Sequence, residues 1–350
     1  MQPKGGGVNP PTVGRMGPAC TQFNGGLLGD SGQPRKRRRE RLRPPAHRGP
    51  WQGSAYRARS YRATLRAMPK PPLDLAQQVA TALAEDIGSG DVTAELVPAT
   101  QHVTGKVITR EPAIMAGRPW VAETFGQLDP GIRLTWHAND GDHVTANQTL
   151  FEIAGPARAV LTGERTALNF LQLLSATATA ARRYVDAIAG TECAILDTRK
   201  TIPGLRTAQK YAVACGGAQN HRIGLFDQVL IKENHIAAAG SLSAAITAAR
   251  KVAGARKVEV EVETLAEFEE ALRGAPDIIL LDEFSLADMK TAVELNRSKG
   301  RPVKLEASGS VTLETVKTVA DTGVDYISIG GITKHVKAVD LSMRLEFASP

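Results

Sequence analysis

Cysteine is scarce in this chain. Cys20, Cys193 and Cys215 are the three among 350 residues, and their spacing matches neither a metal-ligand set nor a redox pair. A disulfide framework and a thiolate zinc site are thereby excluded, and reduced thiols in a cytoplasm fit best. Apolar runs are short as well. None approaches the ~18–20 residues that span a bilayer, and no signal-type apolar segment follows the N-terminus, so a soluble protein without membrane partners is expected. The chain has no nucleophile elbow and no dinucleotide fingerprint. Its chemistry must rest on other groups.

Acidic residues are missing from one region. Residues 1–67 hold 14 Lys and Arg against two acids, whereas residues 68–350 hold 29 against 34, so the formal charge is +12 for the first part and −5 for the rest. The basic character of the chain belongs to this leader. It is rich in Gly, Pro and Arg and shows no apolar periodicity, so it cannot bury enough surface to offset its ordering entropy, and disorder is expected. An organellar targeting segment or a nucleic-acid-binding arm would share this composition. The favoured expectation is an over-extended start or a tail without catalytic role, because ordered patterning begins at Met68, and no nucleic-acid partner is expected.

Helical spacing of Leu73, Ala76, Val79, Ala80 and Leu83 predicts a helix over 73–84, followed by strands at 103–110, 132–138 and 148–155. Thr162 is placed to cap a long helix that stops at Gly190. From Ile195 onward six short strand-like segments recur: 193–200, 228–235, 257–263, 278–283, 303–310 and 325–331. Most are separated by helix-period stretches, the βα repeat of a parallel barrel. Within KVEVEVE, Val258, Val260 and Val262 take one face and Glu259, Glu261 and Glu263 the other, as valines packing on outer helices and glutamates pointing inward would require. Thr264 and Glu267 form a capping-box pattern directly after that strand.

Barrel enzymes draw their chemistry from strand C-termini, so Arg199, Lys200, Lys232, Glu261, Asp282, Ser308 and Gly330 are expected at one mouth. Arg165, the Asp197-Thr198-Arg199-Lys200 run, His221, Arg222 and Lys232 supply a strongly cationic segment, suited to a substrate with more than one acid group. Ser308-Gly309-Ser310 and Gly330-Gly331 precede expected helices near 312–322 and 333–345, a recurrent phosphate site. Glu261 and Asp282, on adjacent strands, can accept from sugar hydroxyls and hold Mg²⁺ together with substrate phosphates.

The stretches EDIGSGDVT (85–93), GERTALNFLQLLSATAT (163–179), the run from Leu196 to His235 containing DTRKTIPGLR and NHRIGLFD, EVEVE (259–263), LLDE (280–283), EASGS (306–310) and GVDYISIGGITKH (323–335) strongly resemble the quinolinate phosphoribosyltransferase family. The resemblance covers about residues 70–347. It implies an α/β fold: an N-terminal α/β sandwich domain, here 68–178, and a C-terminal incomplete α/β barrel of six-stranded type, here 179–350. It also implies a homodimer whose sites are shared between subunits. By motif, Arg165, Arg199, His221, Arg222 and Lys232 would line a quinolinate pocket with Thr198 beside them and Lys200 at the reacting centre, and Arg110 would reach the partner's pocket. Glu261 and Asp282 would face ribose and metal, and Ser308, Gly309, Ser310, Ile329, Gly330 and Gly331 would cradle a 5-phosphate. The activity implied joins quinolinate to phosphoribosyl pyrophosphate, releasing pyrophosphate and carbon dioxide. A paralogue with another substrate, a Schiff-base lyase using Lys200 or Lys232, and a nucleic-acid-binding scaffold are the competing readings.

Overall fold

The computed structural model describes residues 68–347. The expectation for the basic leader lies outside them. The first elements are α1 (Leu75–Ile87), β1 (His102–Thr109), β2 (Ala113–Ile114), α2 (Arg118–Leu128), β3 (Arg133–Trp136), β4 (His143–Val144), β5 (Thr149–Pro156) and α3 (Ala157–Ala187). Then come β6 (Ala194–Leu196), α4 (Arg206–Cys215), β7 (Val229–Ile231), α5 (Glu233–Ala239), α6 (Leu242–Ala253), β8 (Val258–Val262), α7 (Leu265–Gly274), β9 (Ile278–Asp282), α8 (Leu286–Ser298), β10 (Lys304–Ser308), α9 (Val316–Ala320), β11 (Tyr326–Ser328), α10 (Gly331–Lys334) and β12 (Leu341–Phe347).

An antiparallel sheet ordered β12-β1-β5-β3 opens the fold. Its inner residues, among them Val103, Val107, Phe151 and Ile153, pack with Val121 and Phe125 of α2 and with Val160 and Leu168 of α3. The long helix starts earlier than expected. It follows Pro156, so Thr162 lies inside it and is not its cap; the hydroxyl donates instead to Asp91 at 2.8 Å. Gly163 lets α2 and α3 approach closely, since an added Cβ would come within 2.6 Å of the Leu128 side chain and 2.9 Å of the Phe125 ring and both would have to shift.

The second sheet holds six parallel strands in the order β6-β11-β10-β9-β8-β7. Among the described residues β6 and β7 do not pair with each other, which leaves the barrel open between them. Val258, Val260 and Val262 join a core with Ile246, Phe268 and Leu272 from the surrounding helices. Glu259 and Glu261 alternate with them and are buried on the other face. Two strand-to-helix switches carry hydroxyl caps, Thr264 accepting from the Glu267 N–H and Ser285 from the Asp288 N–H, and Ser241 caps α6 in the same way where it follows α5, accepting from the Ala244 N–H. Each such cap contributes roughly 1 kcal/mol and fixes where its helix begins. The capping box is shifted by one residue, since the Glu267 carboxylate takes the Glu263 N–H at 2.8 Å.

The helix expected near 333–345 is corrected by the structure. Only Gly331–Lys334 is helical, and the chain then leaves the barrel to form β12, antiparallel to β1 from Val103 opposite Phe347 to Thr109 opposite Leu341. The helix expected near 312–322 shortens to Val316–Ala320. Helices of four and five residues sum few peptide dipoles, so anion binding in these loops would depend on individual N–H groups rather than a macrodipole.

Candidate active site

The C-terminal ends of the barrel strands bring the expected charges together. At the end of β6, Lys200 donates its N–H to the Thr198 hydroxyl at 3.0 Å, and the Thr333 hydroxyl donates to the Lys200 carbonyl at 2.9 Å. Ile329, just past β11, donates its N–H to the Leu196 carbonyl at 2.9 Å. At the next residue, Gly330, an added Cβ would lie 2.9 Å from the Lys200 side chain and 3.5 Å from the Thr198 hydroxyl, so the lysine chain would have to shift to admit one. One proposed phosphate loop is therefore packed on the proposed reacting lysine.

The segment after α4 returns along β6, where Gln219 bridges Leu196. Arg222 follows it, with Nη1 donating to the Gln228 carbonyl at 3.2 Å. Burial, and next the like charge of Arg199, lower the Arg222 pKa. Like cations held near each other in a partly desolvated place are a poor arrangement until an anion arrives.

His221 sits at the centre of this wall. Its Nδ1 accepts the Arg222 N–H at 2.7 Å, while Nε2 is 3.0 Å from Glu259 and 3.5 Å from Glu306. Burial alone would lower the His221 pKa, but the two carboxylates reverse this and leave it raised. The N–H aimed at Nδ1 works against the imidazolium, and the hydrogen-bond geometry selects the ring with its proton on Nε2. That proton also removes Nε2 as a metal ligand, although His221, Glu259 and Glu306 offer atoms within 4.8 Å of one another.

Glu306 is fully buried, and both of its carboxylate oxygens lack a hydrogen-bond partner. Burial first, and the neighbouring Glu259 charge second, push it up from 4.5 to about 8. Between those values the folded chain holds a proton that the unfolded chain has released, so this group makes stability fall as pH rises through that window. Glu306→Gln is expected to flatten the slope, measured by urea unfolding at successive pH values. An unchanged slope would show that Glu306 titrates as an ordinary acid.

The acids at the rim lie on adjacent strands. In β8 Glu261 pairs with the Lys232 ammonium, and its pKa is raised by burial against the opposing pull of that cation. Asp282 ends β9, within electrostatic reach of Glu261 and opposite Ser308 in register. Two carboxylates at neighbouring strand ends are the hard oxygen donors that Mg²⁺ takes together with substrate oxygens, Glu261 sharing its charge with the Lys232 ammonium. Beyond Ser308 the Glu283 side chain lies over Gly309, where a Cβ would meet its carboxylate at 2.8 Å, and the Ser310 hydroxyl donates to it at 3.2 Å. Glu283 has φ 52°, a left-handed backbone that side-chain-bearing residues rarely adopt.

The profile of the quinolinate phosphoribosyl transferase C-terminal domain matches residues 177–344, and that of the N-terminal domain matches residues 91–175. The chain belongs to the quinolinate phosphoribosyltransferase family. It is 42% identical over 270 residues to the nicotinate-nucleotide pyrophosphorylase (carboxylating) of Mycobacterium leprae, covering 75% of this chain and 94% of that one. It is 40% identical over 260 residues to the probable enzyme of that name from Bacillus subtilis, covering 74% of this chain and 89% of the relative. The nicotinate-nucleotide pyrophosphorylase structure from Francisella tularensis superposes with a TM-score of 0.76 at 48% identity, over 80% of this chain and 99% of that one.

Two expected site residues of this quinolinate phosphoribosyltransferase family member stand apart from the strand ends. Arg110 follows β1 and donates to the Ser342 hydroxyl at 3.3 Å, beside Asp340 at 3.8 Å. Arg165 is exposed on α3. Gly331 begins α10, one residue beyond the Lys200 contact. Sequence reasoning named Asp197 only as part of the Asp197–Lys200 run and gave no role in the wall to Lys210, Gln228 or Glu306. Lys210 had a visible signal, a lysine among Ala208, Tyr211, Ala212 and Cys215 on the buried stripe of α4. Glu306 had one too, since it alternates inward with Lys304 and Ser308.

Proposed function

We propose that this chain is a quinolinate phosphoribosyltransferase (decarboxylating), a pentosyltransferase of NAD synthesis that converts quinolinate and phosphoribosyl pyrophosphate to nicotinate mononucleotide, pyrophosphate and carbon dioxide. The observation that carries this reading is the cationic wall of Arg199, Lys200, Arg222 and Lys232 beside the Glu261–Asp282 acid pair, in a chain about 40% identical to carboxylating pyrophosphorylases. The guanidinium groups grip the two substrate carboxylates. The pyridine nitrogen forms its bond to ribose C1 as the C1–oxygen bond breaks and pyrophosphate leaves with the electron pair. Glu261 and Asp282 stabilise the developing charge on the sugar. The carboxylate beside the ring nitrogen then departs as carbon dioxide, and the electron pair left on carbon takes up a proton. The Lys200 ammonium steadies that charge.

Glu261 and Asp282 would hold Mg²⁺ jointly with the substrate phosphates, and the ion when bound neutralises charge on the departing pyrophosphate. Ser308, Gly309, Ser310, Ile329, Gly330 and Gly331 take the 5-phosphate. The test is turnover of quinolinate with phosphoribosyl pyrophosphate and Mg²⁺, read as nicotinate mononucleotide and released carbon dioxide. Absence of both products would sink the reading.

Arg110, standing with the first sheet, would complete the site of a second subunit in a homodimer. Arg110→Ala and Lys200→Ala proteins are each expected to be nearly inactive, while an equimolar mixture recovers about a quarter of normal activity through heterodimers with one intact site. No recovery despite demonstrated subunit exchange would refute a shared site. No helix among the described residues is long and apolar enough to cross a membrane. Free Cys193 and Cys215 accord with the reducing cytoplasm proposed as the protein's location.

A further inference from the structure

Asp197 has no exposed surface and Lys210 is 3% exposed, and their side chains form a buried ion pair. Neither group is open to solvent, although Asp197 immediately follows β6. The Asp197 carboxylate also accepts from the Asn220 amide at 2.6 Å and from the His221 N–H at 2.8 Å. Lys210 donates to the His221 carbonyl at 2.9 Å, and the Asn220 amide returns a bond to the Lys210 carbonyl at 2.8 Å. Both backbone polar groups of His221 are thus held by one ion pair. Arg199 lies two residues beyond Asp197, and the Arg222 N–H is fixed by the His221 ring.

Burial raises the Asp197 pKa and lowers that of Lys210, so each charge alone is costly here. A buried ion pair seldom stabilises a fold more than apolar residues of similar volume would, whereas breaking one is strongly destabilising. Stability therefore gives little reason for this pair to stand where apolar side chains could pack. Its geometry offers another reason, since no apolar pair can hold an N–H and a carbonyl of the same residue.

We infer that Asp197 and Lys210 are positioning residues for the anion pocket: they set the 220–222 segment at the distance from Arg199 that lets two guanidinium groups close on one dicarboxylate. The inference rests on the proposed binding of quinolinate. It assigns neither residue a contact with substrate.

Stability and positioning are separated by comparing Lys210→Met and Asp197→Leu with the double variant carrying both. Each single variant leaves one buried charge unpaired and is expected to lose thermal stability. The double variant is expected to regain at least about half of that loss. Its quinolinate KM is nevertheless expected to stay about tenfold or more above that of the unmodified enzyme, with the phosphoribosyl pyrophosphate KM shifted less than about threefold. Recovery of both Tm and quinolinate KM, or an equal rise in both KM values, would overturn the inference.

Should the double variant fail to fold, Asn220→Ala retains the ion pair and removes two hydrogen bonds that tie the segment to it. It is expected to raise the quinolinate KM by about fivefold with a smaller loss of Tm than Lys210→Met shows, because the carboxylate keeps its ammonium partner. It should also quicken amide exchange at residues 220–224, a readout that needs no turnover. Normal exchange and a normal KM would count against the inference. Absence of quinolinate turnover in the unmodified protein, with faster exchange in Asn220→Ala, would instead locate the failure in the proposed substrate.

Discussion

Lys200→Ala is expected to lower kcat by about 10²–10³-fold, the effect typical of removing one preorganised group that meets charge developing in the transition state. The KM values for both substrates should change far less, because the carboxylate grip is assigned to Arg199, Arg222 and Lys232 and the phosphate contacts to the loops. That expectation rests on how Lys200 is held. Lys200 is anchored through its backbone on both sides, N–H to Thr198 and carbonyl to Thr333, and its side chain runs past Gly330. Removal of the side chain therefore leaves the loop bonds in place. Steady-state kinetics check this, and a variant that loses quinolinate affinity while keeping kcat would place Lys200 in the binding pocket instead.

Nicotinate is expected to be a very poor substrate. Its ring nitrogen can attack the same ribose carbon, but it carries one carboxylate where quinolinate carries two. A pocket with Arg199 and Arg222 held near each other then keeps a cation without a partner. Loss of one charge-assisted contact costs about 1.5–3 kcal/mol, or roughly 10- to 150-fold in binding. Arg222→Ala should accordingly raise the quinolinate KM much more than the phosphoribosyl pyrophosphate KM, and narrow the preference over nicotinate. Parallel assays with quinolinate, nicotinate and nicotinamide decide it. Comparable efficiency with nicotinate and quinolinate in the unmodified enzyme would refute the dicarboxylate assignment.

The barrel was legible because its signals are local. Alternation in KVEVEVE separates a valine face from a glutamate face within five residues, and Thr264 marks the following helix within three more. The same locality failed at Thr162. A hydroxyl in the second turn of a helix and one at its start look alike in sequence, and the distinction lies in Asp91, 71 positions away. The buried wall was hidden for a related reason. Lys210 and Asp197 meet only when α4 packs on β6, and Glu259 and Glu306 face one imidazole only after β8 and β10 are placed around β9. Periodicity indicates which face is inward but not which inward groups meet. The resemblance named a family and a set of residues, yet it carried no information about what holds those residues still.

Strand β12 imposes an order on synthesis. The four-stranded sheet takes β1, β3 and β5 from residues 102–156, but its remaining strand arrives after every strand of the barrel has been made. On the ribosome, β1 waits with one edge unpaired while nearly 200 further residues emerge, a long-range closure of the slow kind. During that interval the edge is open to pairing with another nascent chain. Lys106 and Arg344, neighbours across the finished β1–β12 pair, place charge on both strands of that seam. Being like charges, they oppose the native pairing as much as a foreign one, so the open edge of β1 remains a mispairing liability until the whole length of β12 arrives to close it.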